Sequence, residues 1–327
     1  MNIEDVRRMH GEWTAMSIHL GGGLYTLAPQ PDARLRRLVQ VAADLAGKPL
    51  SSLRVLDLAC LEGHYGIEFA LHGAEVLGIE LREDNLAKAQ FARDYLKLER
   101  LRLVKDDVRN VTVERYGVFD VVLCSGILYH LPAPDVFRFV RNLFEVCARL
   151  AIIDTFVALR PEVTLSFEGE RYSGYWYKEH DESASRAERL RNLHSSVDNA
   201  QSFWLTPASL ANLVSRVGFS SFYECLKPEH EVPCDRRAYV AIRGQAAEVL
   251  SSPPTRDMPH AAAPEQPRPP MYRKRGPLFR LAKRVLPQPA KDLIKPALRA
   301  AGILPPNGTP PWMKSAESSS PRRRGPK

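Results

Sequence analysis

The chain has 327 residues, 44% hydrophobic and 26% charged, with a formal net charge of +8. This is ordinary globular usage, with room for two domains or for one large α/β domain and a tail. No run approaches the ~18 consecutive apolar residues of a membrane-spanning helix, and the opening MNIEDVRRMHGEW has no apolar signal core, so a cytoplasmic destination is expected.

Five cysteines without a C-x-x-C argue against a disulfide framework or a structural zinc. Cys60, Cys124 and Cys147 sit in apolar runs, where a thiol packs as a small hydrophobe. The charge is unevenly spread: residues 246–327 carry a net +11 and 17 of the 26 prolines, residues 1–245 a net −3. The basicity belongs to an extension and says nothing about a site in the folded part.

In chain order, residues 1–50 read as an N-terminal cover with a helix over 32–46. From there to about residue 245, short β-branched runs alternate with amphipathic segments, the pattern of a parallel sheet flanked by helices. Strands are expected at 53–60, 75–80, 101–105, 119–124, 148–155, 220–226 and 237–243. Helices are expected at 63–72 (stopped by Gly73), 84–97, 133–147 and 207–217, the last opened by Thr206 as N-cap and Pro207, and stopped by Gly218. Residues 158–203 interrupt the alternation with aromatics and charges. They read either as a surface excursion with a short helix at 185–193 or as a substrate-facing cover. Residues 246–271 are linker-like.

The basic segment 272–327 follows. Over 272–304, Leu278, Leu281, Ala282 and Val285 oppose Arg280, Lys283 and Arg284, a pattern suited to an anionic membrane surface. RNA contact, with few aromatics among the basic residues, and packing on the core are the other readings.

The most informative stretch is Val55-Leu-Asp-Leu-Ala-Cys-Leu-Glu-Gly63, then a helix, then Val76-Leu-Gly-Ile-Glu80. A buried strand runs into a sharp turn at a helix N-terminus, and an acid ends the next strand, where it can accept from both hydroxyls of a ribose. Asp57 is placed to meet a cationic amino group. A dinucleotide fingerprint wants glycine at position 61, which is Leu. Asp107 follows the third strand, where it can take an adenine amino group, and the fourth strand opens into Ser125-Gly126-Ile-Leu-Tyr-His130.

These residues resemble the class I S-adenosylmethionine-dependent methyltransferases, with Asp57–Gly63 as the glycine-rich motif, Glu80 as the ribose acid and Asp107 as the adenine acid. The resemblance spans roughly residues 50–245. It implies a Rossmann-like, seven-stranded, mostly parallel doubly wound sheet of strand order 3-2-1-4-5-7-6. Gly126–His130, the stretch from Asn199 to Leu210, and Trp13 with Leu20–Thr26 are similar to the branch that includes the tRNA wobble-uridine carboxymethyl transferases. Plain methyl transfer is expected here, because the segment after Trp13 supplies no cations for a second carboxylate.

Ala59 and Leu61 stand where the family has glycines. Ala59 costs little where its φ stays negative; Leu61 is expected to crowd the methionine moiety or to force a different turn.

The implied cofactor set is Asp57, Ala59, Cys60, Gly63, Glu80, Leu81, Asp107, Val108, Ser125 and Gly126. His130, as a base, and Tyr129 are the catalytic candidates. His19, Tyr25, Tyr175, Tyr177, His180, Asn199 and Trp204 are candidates for the acceptor pocket. No ligand spacing supports a metal. The expected reaction is methyl transfer to a hydroxyl or amine of a small molecule or glycan. The alternatives are tRNA modification and a binding protein that has lost the cofactor through Leu61.

Overall fold

The computed structural model describes residues 2–226, 235–245, 247–251, 263 and 265. The segment 272–327, with its membrane-surface and RNA readings, lies outside the described residues, as does most of the linker at 246–271.

The chain opens with α1 (Ile3–His10), then the hairpin strands β1 (His19–Gly21) and β2 (Leu24–Tyr25), then α2 (Ala33–Leu45). The alternation begins with β3 (Arg54–Leu58), α3 (His64–Leu71), β4 (Glu75–Glu80), α4 (Glu83–Tyr95) and β5 (Leu101–Lys105). It continues through α5 (Val113–Tyr116), β6 (Phe119–Ser125), α6 (Asp135–Val146) and β7 (Cys147–Phe156). The interruption holds β8 (Val163–Phe167), β9 (Glu170–Lys178), α7 (Arg186–Arg191) and β10 (Gln201–Leu205). The chain returns through α8 (Pro207–Val217), β11 (Ser221–Glu224) and β12 (Arg236–Ile242).

One sheet runs β11-β12-β7-β6-β3-β4-β5, with β12 antiparallel to both its neighbours and the other pairs parallel. This is the expected order. The inner strands β3 and β6 are buried along nearly their whole length, as a strand covered on both faces must be. One face packs on α6 and α8 through Phe137, Val140, Leu143, Leu210 and Leu213. The other packs on α1 to α4 through Val6, Leu38, Ile67, Leu86 and Phe91. Thr206 caps α8 with its side chain on Ser209 N–H, as expected, a contact worth about 1 kcal/mol.

The excursion at 158–203 holds the expected short helix as α7, but most of it takes a form that was not expected. It contains a separate three-stranded antiparallel sheet, β10-β9-β8. The aromatic residues that looked like cover material lie on strands, with Tyr177 stacked on Trp204 and Tyr175 tilted against it across the β9–β10 pair.

Candidate active site

The parallel strands end along one edge of the sheet. The chain builds outward from β3 through β4 to β5 and then crosses back to lay β6 on the other side of β3, which opens a crevice at that edge. The loop after β3 is its floor. Gly63, with φ 84°, caps α3, and a Cβ there would lie 2.9 Å from the Cβ of Ala89, so only glycine fits. Ala59 does not keep a negative φ: its value is 52°, and that of Leu61 is 49°.

Both residues therefore adopt the left-handed shape that glycine supplies elsewhere, at a cost of roughly 1 kcal/mol each. The turn is imposed by bonding at its ends. Cys60 N–H donates to the Ile79 carbonyl at 2.9 Å, and Leu61 N–H donates to Glu80 Oε2 at 2.9 Å. The Leu61 side chain is 38% exposed and fills no core space. Leu61→Gly is accordingly expected to change stability by less than about 1 kcal/mol, the relieved strain offsetting glycine's unfolded-state entropy. For the cofactor that the resemblance implies, S-adenosylhomocysteine affinity should stay within threefold, measured by calorimetry; a tenfold gain would mean that Leu61 obstructs the site.

Glu80 is buried at the end of β4. Its Oε1 accepts from Arg82 N–H at 2.8 Å, and burial raises its pKa. Asp57 is more enclosed. Its Oδ2 accepts the Gly66 N–H of α3 at 2.9 Å, and burial pushes its carboxyl up to about 7. A carboxyl whose folded pKa is raised stabilises the fold at low pH and loses that contribution as pH rises between about 4 and 7. From pH 5 to pH 8 the wild type should therefore lose roughly 2 kcal/mol more than Asp57→Asn, read from urea midpoints; equal losses would contradict it.

Sequence reasoning missed Glu62, the next residue of this loop. It is 1% exposed and pairs at 2.7 Å with Lys88, 2% exposed, on α4. Glu62 also accepts Thr14 N–H (2.9 and 3.1 Å to its two oxygens) and Ala15 N–H (3.1 Å), while Lys88 donates to the Glu12 carbonyl at 2.9 Å. This buried pair fastens residues 12–15 to the floor of the crevice, and Trp13 packs 5.9 Å from Phe91 beside it.

Asp107 follows β5 as expected, but its carboxylate holds Arg109, which also bonds Asp198 and reaches Asp135. The pairing with Asp107 and Asp198 raises the Arg109 pKa. Its neighbour Asp106 is tied instead to Tyr116 Oη and Asn110. Arg82, directly after the half-buried Leu81, donates to the carbonyls of Leu190 (3.1 Å), Asn192 (2.8 Å) and Ser195 (2.6 Å). The middle of the excursion thus rests beside Glu80 and Asp107. Val108 and Cys60 turn their side chains into the core.

Beyond β6, Gly126 N–H donates to the Asp154 carbonyl of β7 at 2.9 Å, beside Ser125, which is paired in register with Asp154. The Tyr129 hydroxyl comes within 3.8 Å of where a Gly126 Cβ would stand. Its ring lies 4.9 Å from Phe156 and 5.9 Å from Trp204, which stacks on Phe156 (5.0 Å) and Tyr177 (4.5 Å) and lies 5.2 Å from Tyr175. Arg236 spans this wall, 2.7 Å from Asp154 and 5.1 Å from the Phe156 centroid. Four candidates, Tyr129, Tyr175, Tyr177 and Trp204, are therefore brought together.

His130 follows Tyr129, its Nδ1 2.9 Å from Glu179 Oε1; Glu179 is a second residue that the sequence did not single out. Asn199 fastens the same turn, donating to the His130 carbonyl at 3.2 Å. The remaining candidates stand apart. His180 is buried with Nε2 2.5 Å from the Ser196 carbonyl, a hydrogen bond that holds its own loop. His19 and Tyr25 stack on each other at 4.5 Å on the β1–β2 hairpin. Among the described residues, no three His, Cys, Asp or Glu side chains are grouped as a metal would require.

Residues 55–149 match a family model described as a methyltransferase domain. These are the strands and loop that form the crevice.

Around these residues, the fold is similar to that of the N-terminal domain of EvdMO1, solved with SAH and D-fucose. The likeness has a TM-score of 0.57 at 20% identity and covers 76% of this chain and 98% of that one. Among sequence relatives, the ubiquinone biosynthesis O-methyltransferase of Acinetobacter baumannii (strain AYE) is 32% identical over 101 residues, covering 31% of this chain and 40% of that protein. The enzyme of that name from Bordetella pertussis (strain Tohama I) is 36% identical over 124 residues, covering 36% and 44%. The chain thus spans about two-fifths of the length of these relatives. The likenesses are to methyltransferases as a class and do not single out the wobble-uridine branch.

Proposed function

We propose that the chain transfers a methyl group from S-adenosylmethionine to a hydroxyl of a small-molecule or glycan-type acceptor. The observation that carries this reading is the crevice floor, where the left-handed turn from Ala59 to Gly63 is bonded to Glu80 at the adjoining strand end. A turn at a helix N-terminus beside a buried acid suits an adenosyl group, with the acid on the ribose and Asp107 beyond it. The neighbour's SAH and the O-methyltransferase names of the relatives support the same donor and an oxygen acceptor.

The bound donor supplies an electrophilic methyl carbon on a sulfonium. The protein's work is to hold the acceptor oxygen in line with that carbon and to exclude water. The wall formed by Tyr129, Phe156, Tyr177 and Trp204 suits the face of a sugar or aromatic ring, and Arg236 and Asp154 suit its polar groups.

Calorimetry with S-adenosylhomocysteine tests the donor: no heat at high protein concentration would remove the reading. Incubation with methyl-labelled S-adenosylmethionine and a panel of glycosides, phenols and bulk tRNA tests the acceptor. Label in the glycosides or phenols is expected, and label confined to tRNA would transfer the activity to nucleic acid.

A further inference from the structure

Glu179 lies on the excursion, just after β9, and its side chain is fully buried. Burying a carboxylate costs several kcal/mol unless hydrogen bonds replace its water. Three donors converge on it: Ser196 N–H at 3.0 Å, Ser202 Oγ at 2.7 Å and His130 Nδ1 at 2.9 Å. Two of them belong to the excursion and fix the carboxylate in place. The third is a ring on the turn that follows Gly126 at the mouth of the crevice.

That turn is gripped independently. Asn199 donates to the His130 carbonyl, and Phe203 N–H donates to the Leu131 carbonyl at 2.9 Å. The histidine is therefore fixed in position by its backbone and in orientation by its Nδ1. Beside it stands Tyr129, ring to ring at 4.2 Å, which faces the aromatic wall.

A carboxylate accepts and cannot donate, so the proton between the two groups belongs to Nδ1, and the Nε2 lone pair is left available. We propose that Glu179 is a positioning residue that sets the tautomer of His130, making Nε2 the base for an acceptor hydroxyl. The inference rests on the methyl-transfer reading. In that step the acceptor O–H proton passes to Nε2 as the oxygen bonds to the methyl carbon. The electron pair of the broken carbon–sulfur bond stays on sulfur, which becomes a neutral thioether, and the imidazolium then releases its proton to water. An amine acceptor that is already neutral would need no such base, so the dyad favours oxygen.

The test uses the full chain saturated with S-adenosylhomocysteine, its histidines labelled with nitrogen-15, and His130→Asn to assign the ring. The expected spectrum shows His130 protonated on Nδ1, and Glu179→Gln should shift that population. With the glycoside or phenol that turns over in the labelled panel, Glu179→Gln and His130→Asn are each expected to lower kcat by 100-fold or more. KM and S-adenosylhomocysteine affinity should remain within threefold. The loss should shrink for phenols of lower pKa, which a purely structural role would not produce. His130 protonated on Nε2, or Glu179→Gln with kcat within threefold of wild type, would overturn the dyad while leaving methyl transfer intact. A wild-type protein that binds no S-adenosylhomocysteine would instead overturn the methyl-transfer reading.

Discussion

Lys88→Met is expected to remove roughly 3–5 kcal/mol of stability, because it leaves the buried Glu62 carboxylate without its cation. For a domain of this size that is a fall of about 10 °C in Tm. The value should lie toward the lower end, since Thr14 and Ala15 still donate to Glu62. Joining Glu62→Gln to Lys88→Met should recover part of the loss, because no unpaired charge then remains inside. The consequence should reach the crevice too: residues 12–15 lose their hold, and the turn from Ala59 to Gly63 loses a restraint on its strained conformation. A Tm change under 2 °C would show that the pair is not what fastens the N-terminal segment. Thermal unfolding of the single and double variants decides it.

Glu80→Ala is expected to weaken S-adenosylhomocysteine binding about 100-fold. Hydrogen bonds to a charged acceptor are each worth about 1.5–3 kcal/mol, and on the proposed function the substitution removes those to the ligand's ribose. It also releases Leu61 N–H and Arg82 N–H, so the turn and the attachment of the excursion through Arg82 loosen together. Glu80→Gln separates the two effects. Its amide oxygen can still accept from one backbone N–H, so stability should fall less than in Glu80→Ala while ligand affinity stays low. Calorimetry on both variants, alongside urea unfolding, is the measurement. Affinity within threefold of wild type in Glu80→Ala would place the nucleoside elsewhere.

Both effects depend on contacts that differ in how visible they are from the chain alone. The place of Glu80 was legible because a buried apolar run ending in an acid marks the end of a strand. Glu62 was not: one residue before Gly63 it looks like a solvated loop charge, and its partners lie 26 and 48 positions away. Glu179 was hidden in the same way among the charges of YWYKEHDE. His180 was the more conspicuous of the two neighbours, yet it turns to Ser196 while Glu179 turns to His130. The left-handed φ of Ala59 was not legible either, since alanine's local preference opposes it and the bonds of Cys60 and Leu61 to Ile79 and Glu80 hold the turn in place.

From its sequence alone this protein's sheet, its crossing helices and the acids along the crevice could be read, because strand and helix periodicities record which face each segment buries, and that is a local property. The tertiary structure alone decided the three-stranded excursion sheet, the Glu62–Lys88 fastening and the Glu179–His130 pairing. Those arise where distant segments cross, and a buried charge takes whichever partner the crossing brings within about 3 Å.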